Sequence, residues 1–328
     1  MTDTIILHYG EIAIKGKNRS WFERVLLENI RLKLKGLKYE QLKKISGRFL
    51  LTLHKESEQE EILKRLRQVF GLSRVALAYN TKQDLTSMKK ISDKFIKEGK
   101  LHKNKTVKVI TKRSNKHLTL RSQEVNKTLG EYLMEHHKFT IDVVEPEQIL
   151  HVELVDSHCL MSTAYENVLQ GLPVSVSGKV LTLISGGIDS PVAAFYAMKR
   201  GCAVKFIHFY NETINTKASL NKVKDVVKIL SQYNKNTKLY LIPFKEIQYE
   251  LLKVVPKTYR MLVYKRFMMK ISEKIAKKEN AKALIVGDCI GQVSSQILQC
   301  LGVVRADTTM LILSPLIGFD KQEIIDKA

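Results

Sequence analysis

Residues 181–194 read LTLISGGIDSPVAA. An apolar strand runs into Ser185-Gly186-Gly187-Ile188-Asp189-Ser190, and a helix starts at the next residue. Two glycines let backbone N–H groups approach an anion, and a helix N-terminus adds partial positive charge. Ser185 and Ser190 offer hydroxyls, and Pro191 suits a first helical turn. Asp189 is out of place beside phosphate unless a divalent cation lies between them, which assigns it to Mg²⁺ or to positioning. The loop has neither the GxxxxGKS/T spacing with its Lys nor GxGxxG. Glycines also serve plain strand–helix turns; the full SGGxDS pattern in this context favours a nucleotide.

Outward from the loop, the second half of the chain alternates strand and helix. Strands are expected at 180–184, 203–209, 238–242 and 283–286, with helices at 191–200, 220–230 and 259–278. Continuous apolar strands between helices argue for a doubly wound parallel α/β sheet. Before it, Gly171-Leu172-Pro173 and Ser177-Gly178 read as a linker.

The first 80 residues give strand 4–9, a helix capped by Asn18 and running to about 35 with Phe22, Val25, Leu26, Asn29 and Ile30 on one stripe, strands 39–45 and 48–53 across Ser46-Gly47, a helix over 58–69, and strand 72–79. That βαββαβ order is the ferredoxin-like pattern. A second unit follows from Asp84: a helix to 98, a strand at 106–111, a helix at 122–137, then three strands ending near Ala164. The expected division is therefore 1–80, 81–170 and 171–328.

The 328 residues carry a formal net charge of +22, which asks for a polyanionic partner. The charge is segregated. Residues 82–127 hold 14 Lys and Arg against four acids, whereas 139–178 hold six acids and no Lys or Arg. Aromatics are sparse in the basic stretch, which favours backbone contact with a folded RNA over stacking along a single strand. No run approaches the ~20 apolar residues of a membrane span, and no basic-then-apolar leader opens the chain. Four cysteines without a CxxC pair argue against a disulfide scaffold or zinc site, so a reduced, cytoplasmic protein with no membrane role is expected.

At this point the chain resembles the tRNA 4-thiouridine synthase (tRNA sulfurtransferase) family. The resemblance rests on residues 9–22 (YGEIAIKGKNRSWF), 111–129 (TKRSNKHLTLRSQEVNKTL), 171–191 (GLPVSVSGKVLTLISGGIDSP), 287–296 (GDCIGQVSSQ) and 315–325 (PLIGFDKQEII). It implies a ferredoxin-like domain, a THUMP RNA-binding domain and a pyrophosphatase-loop domain. It also implies that ATP adenylates the C4 oxygen of uridine 8 of a tRNA and that persulfide sulfur, from a donor such as a cysteine desulfurase, displaces AMP. A homodimer is compatible with it.

By the same resemblance, Leu183, Ile184, Ser185, Gly186, Gly187, Asp189, Ser190, His208, Phe209, Lys265, Gly287 and Gln296 would bind ATP with Mg²⁺, and Asp189 and Lys321 would serve the chemistry. Lys265 and Arg266 would form a basic pair facing the nucleotide. Lys112, Arg113, Lys116 and Arg121 would contact RNA. His208 reads equally as a satisfied core histidine, Lys321 as a helix-entry lysine, and Lys265 as one of a solvated stripe with Lys270 and Lys274.

Two departures are visible. Met261-Leu262-Val263-Tyr264 stands where some archaeal relatives carry a CxxC for iron–sulfur ligation, so no cluster is implied. The family's sulfur-handling cysteine falls beyond Ala328, so these residues are expected to bind and adenylate tRNA without completing thiolation. Cys159, Cys202 and Cys300 are expected to be buried, the last on a helix over 292–301. Cys289 is ambiguous. Two other functions compete: a tRNA-binding protein of this architecture without complete sulfur-transfer activity, and an amidating ATP pyrophosphatase of the GMP or NAD synthetase kind. A THUMP-bearing methyltransferase fits less well, because SGGIDS replaces any S-adenosylmethionine loop.

Overall fold

The computed structural model describes residues 3–114, 120–211 and 217–328. The chain forms two compact units, Met1–Gln170 and Gly171–Ala328.

The first unit opens with β1 (Thr4–Tyr9), α1 (Arg19–Lys33), β2 (Gln41–Ile45), β3 (Arg48–Thr52), α2 (Gln59–Leu66) and β4 (Leu72–Thr81). The strands pair antiparallel in the order β2-β3-β1-β4. Alternation sets the faces: Ile5 and Leu7 of β1 point with Phe49 and Leu51 of β3 into a core closed by Leu26 and Ile30 of α1 and Ile62 and Leu66 of α2. Asn18 does not cap α1. It ends a 3-10 turn over Gly16–Asn18, already has helical backbone angles (φ −84°, ψ −5°), and makes no side-chain cap bond; a cap needs extended angles to aim its oxygen at the free N–H groups. The sequence stripe also missed Glu23, which is 3% exposed and accepts hydrogen bonds from Tyr9 Oη and Arg19 Nε and an ion pair from Lys44.

The same sheet continues into α3 (Leu85–Lys97), β5 (Val107–Arg113), α4 (Ser122–His137), β6 (Gln148–Val155), β7 (His158–Ser162) and β8 (Glu166–Asn167). Asp84 caps α3, its carboxylate accepting the Ser87 N–H at 2.7 Å. The full order is β2-β3-β1-β4-β7-β6-β5, with β5 and β6 parallel. Of the three strands expected up to Ala164, β6 and β7 end at Val155 and Ser162; the third, β8, lies beyond and pairs back onto Arg74 and Val75 of β4. A second core gathers Tyr79, Phe95, Val107, Val125, Leu129, Leu150 and Met161.

The second unit comprises β9 (Lys179–Leu183), α5 (Asp189–Lys199), β10 (Ala203–Tyr210), α6 (Lys217–Ser231), β11 (Leu239–Pro243), α7 (Lys245–Val254), α8 (Arg260–Lys278), β12 (Ala283–Ile285), α9 (Leu298–Arg305), β13 (Leu311–Leu313) and α10 (Lys321–Ile325). All its strands are parallel, in the order β11-β10-β9-β12-β13. The chain winds outward from β9 through β10 to β11, then returns to the other side of β9 as β12. Order reverses there, and open α/β sheets bind ligands at the carboxyl ends of strands flanking such a reversal. Met269 and Ala276 of α8 pack on Leu181 and Leu284.

The stretch read as a linker is packed, not free. Leu172 N–H donates to Lys199 O, and the Ser175 and Ser177 N–H groups both donate to Gly201 O, all at 2.9 Å, with Leu172 and Val174 buried. Cys300 is partly exposed, against expectation. A 3-10 turn over Ser294–Gln296 precedes α9, whose buried stripe is Leu301 and Val304, and Cys300 falls off that stripe.

Candidate nucleotide site

The loop between β9 and α5 is tied by its own serines. Ser185 N–H donates to Ser190 Oγ at 2.8 Å, the two hydroxyls lie 3.0 Å apart, and Gly187 N–H reaches Ser185 Oγ at 3.3 Å. These bonds fold the loop over the first turn of α5. A Cβ on Gly186 would meet nothing within 4 Å, so that backbone face is open. Gly287 is opposite in kind: a Cβ there would sit 2.8 Å from Ser190 N and 2.9 Å from the Asp189 carbonyl carbon. The chain leaving β12 thus abuts the start of α5, and only glycine permits that approach.

Between them lies a cavity of about 250 Å³. Seven residues singled out in the sequence line it: Leu183, Ser185, Asp189, Ser190, Lys265, Gly287 and Gln296. Met268, Met269, Val286 and Asp288, which sequence reasoning did not name as site residues, complete the wall. Asp189 is the first residue of α5 and its carboxylate is held from two sides, accepting from Lys321 Nζ at 2.8 Å and from Gln292 Nε2 at 3.5 Å. Lys321 is indeed a helix-entry residue, since Asp320 caps α10 by accepting the Glu323 N–H at 2.8 Å. Its ammonium nonetheless turns to Asp189 across 132 residues of sequence.

Opposite, Lys265 of α8 places its Nζ 3.1 Å from Ser295 Oγ and 3.9 Å from an Asp288 oxygen. Gln296 Nε2 donates to the same Asp288 oxygen at 3.3 Å, and its Oε1 is buried with no partner among the described residues. Arg305 reaches the other Asp288 oxygen. Arg266 does not face this cavity. It makes two hydrogen bonds to Asp307, at 2.6 and 2.8 Å, so of the Lys-Arg pair only Lys265 lines it.

Gly186 and Gly187 line a neighbouring groove of about 270 Å³, with Phe195, Leu230 and Tyr233. Ile184, His208 and Phe209 pack beside the loop, outside the lining of both spaces. His208 Nδ1–H donates to Ile184 O at 2.8 Å, the bond of a core histidine, while its buried Nε2 has no partner among the described residues. Phe209 meets Phe244 edge-on at 5.5 Å. Cys289 is 2% exposed, and burial, then Asp189 and Asp288, pushes its thiol up from the ordinary cysteine value, with Lys321 opposing. It is kept as a thiol rather than a thiolate. Among the described residues no three His, Cys, Asp or Glu side chains are grouped to hold a metal ion.

Of the expected RNA contacts, Lys112 and Arg113 end β5, Arg121 immediately precedes α4, and Lys116 lies outside the described residues. Arg113 Nη1 donates to Leu120 O at 3.2 Å, which braces the segment before α4. Beside Lys112 the sheet carries a cluster the sequence did not suggest. Glu153, 2% exposed, accepts from His8 Nε2 at 3.0 Å and from Tyr165 Oη and pairs with Arg48, while Arg74 lies 4.9 Å over the Tyr165 ring. No helix among the described residues is long and apolar enough to cross a membrane.

Three family matches cover nearly the whole chain: ThiI ferredoxin-like domain over residues 4–76, THUMP domain over 82–164, and Thiamine biosynthesis protein (ThiI) over 175–328. A probable tRNA sulfurtransferase of Thermoanaerobacter sp. is 39% identical, covering 100% of this chain and 85% of its own. That of Anoxybacillus flavithermus is 37% identical over 98% of this chain and 81% of its own. A 4-thiouridine synthetase solved with RNA and bound ATP superposes with a TM-score of 0.89 at 33% identity, covering 100% of this chain and 84% of that one. A Pyrococcus horikoshii protein, with a TM-score of 0.76 at 21% identity over 99% of this chain and 97% of that one, shares the fold. With a ferredoxin-like fold, a THUMP fold and a pyrophosphatase-loop sheet in one chain, and relatives of this identity along its whole length, the chain belongs to the tRNA sulfurtransferase (4-thiouridine synthetase) family of enzymes.

Proposed function

We propose that residues 171–328 bind ATP and adenylate the C4 oxygen of uridine 8 in a tRNA held by residues 1–80 and 81–170. The uridine oxygen attacks the α-phosphorus and pyrophosphate leaves; the outer sulfur of a persulfide, such as a cysteine desulfurase supplies in the cytoplasm, then adds at C4 as AMP leaves, and a second thiol cleaves the S–S bond, leaving the thiocarbonyl on the base and the two thiols joined as a disulfide. The observation that carries this reading is the meeting of Asp189, Ser185, Ser190, Lys265 and Gln296 around one cavity at the sheet's reversal point. The relative solved with RNA and ATP supports the substrate pair.

The open backbone at Gly186 and the α5 N-terminus would take phosphate oxygens, and Lys265 and Lys321 would oppose charge that develops as pyrophosphate departs. Asp189 is the single loop carboxylate, and Mg²⁺ in nucleotide sites uses one or two carboxylates plus substrate phosphates. The donor set therefore fits an ion that arrives with ATP, which would supply charge neutralisation. Ile184, His208 and Phe209 would close the base side, and Lys112, Arg113, Lys116 and Arg121 would contact RNA phosphates.

The test is Asp189→Ala. It should abolish tRNA-dependent pyrophosphate release and leave tRNA affinity within about twofold, because the basic residues belong to the other unit. Wild-type activity should vanish with chelator and return with Mg²⁺. Stimulation by ammonia or glutamine instead of tRNA would replace this reading with small-molecule amidation.

A further inference from the structure

Asp288 is an acid in the wall of a site that, on the reading above, receives a triphosphate. Left to itself it would neutralise Lys265, the one cation of α8 that reaches the cavity, and would repel the incoming phosphates. Its contacts show how this is avoided. One carboxylate oxygen faces Lys265 at 3.9 Å and Gln296 Nε2 at 3.3 Å. The other takes Arg305 Nη2 at 3.4 Å. That guanidinium is anchored in turn, Nη2 also donating to Ser314 Oγ at 2.6 Å on the segment after β13. Arg305 closes α9 and lies outside the cavity lining, and among the described residues it meets the site through Asp288.

We infer that Arg305 is a positioning residue for nucleotide binding: by taking up the charge of Asp288 it leaves the Lys265 ammonium available to an anion, and it fixes the carboxylate that accepts from the Gln296 amide. The inference deepens the nucleotide reading and rests on it. Charge bookkeeping gives it a sign. Lys265, Asp288 and Arg305 together present one net positive charge to the cavity; without Arg305 they present none, and Lys265 has an uncontested partner. Loss of one favourable charge beside a polyanion weakens binding by about tenfold. Asn at 288 still accepts from Gln296, so it removes the charge while keeping the amide's orientation.

The experiment titrates Mg·ATP onto the full chain by calorimetry, with thermal melting run alongside. Arg305→Gln should weaken ATP about tenfold, Arg305→Lys should hold within about threefold of wild type, and the Asp288→Asn, Arg305→Gln double variant should recover to the same range. Asp288→Asn alone leaves Lys265 and Arg305 as two uncancelled positive charges and should tighten ATP about tenfold, which keeps the test available should Arg305→Gln melt early, and weaker binding by Asp288→Asn refutes the inference as well. Unchanged affinity in Arg305→Gln refutes the inference, as does a double variant as weak as the single. A wild-type chain that fails to bind ATP refutes the nucleotide reading instead, so the two failures are told apart.

Discussion

Gly287→Ala puts a methyl group where the structure has no room for one. The added Cβ would lie 2.8 Å from Ser190 N, 2.9 Å from the Asp189 carbonyl carbon and 3.0 Å from Ser190 Cα, against an ordinary contact of 3.4 Å or more. All three atoms are backbone at the start of α5, so no side-chain rotation relieves the clash. Either the strand end or the helix must move by about 0.5 Å, and overpacking of this kind costs about 1–3 kcal/mol. At about 2–4 °C per kcal/mol for a unit of this size, the melting midpoint of residues 171–328 should fall by about 2–12 °C. The displaced groups are Asp189 and Ser190, and misplacement approaching 1 Å can cost about 100-fold in rate. Pyrophosphate release should therefore drop by about 10- to 100-fold, read in a coupled phosphate assay beside a circular-dichroism melt. Gly186→Ala is the contrast, since its Cβ meets nothing within 4 Å and its φ is not left-handed. It should leave melting within about 1 °C yet weaken ATP by filling the open backbone face. A Gly287→Ala chain that melts and turns over like wild type refutes the packing argument.

Three further outcomes are expected. Burial, with Lys112 and Arg74 beside it, lowers the His151 pKa from 6.5 to about 4; the unfolded chain therefore binds a proton the folded chain refuses, and stability is full above pH 6.5 and falls as pH drops toward 4. Unfolding free energies from urea titrations of wild type and His151→Gln should diverge over that window by about 2 kcal/mol, and parallel curves would end the argument. Cys289, buried and held as a thiol, should alkylate far more slowly at pH 8 than the partly exposed Cys300, as followed by peptide mass spectrometry; equal rates would show a reactive thiolate at Cys289. Replacing Lys112, Arg113 and Arg121 with Ala should flatten the salt dependence of tRNA binding by about two to three in the log–log slope. An unchanged slope removes this surface from the RNA contact.

Local signals in the chain carried most of the fold. β1 and α4 fall on their expected residues, because TIILHY is a run of β-branched, aliphatic and aromatic residues bounded by Gly10 and Ser122–His137 is a long periodic stretch. The SGGIDS loop was legible for a different reason: strand, loop and helix are contiguous, so sequence order already is spatial order. What failed needed partners distant in sequence. Glu23 looks like a solvent-facing helix residue until Tyr9, Arg19 and Lys44 converge on it. β13 has three residues, two of them exposed leucines, which is too short for any alternation to register. α7 buries none of its residues and so lacks the packed stripe that marked the other helices. Arg305 lies beyond the helix expected over 292–301, and nothing within its own neighbourhood named Asp288 as its partner.

On the proposed function, the course of β4 bears on how an RNA would meet the first unit. Residues 77–81 fall between the two matched family stretches, where a hinge would be looked for, yet they are the second half of β4. Leu77 and Ala78 still pair with β1, and Tyr79, Asn80 and Thr81 pair onward with β7. A strand hydrogen-bonded on both flanks of such a junction bends little, so the ferredoxin-like and THUMP folds act as a single template of preset curvature. On the proposed function, an RNA held there would be selected by how well its own shape matches that template.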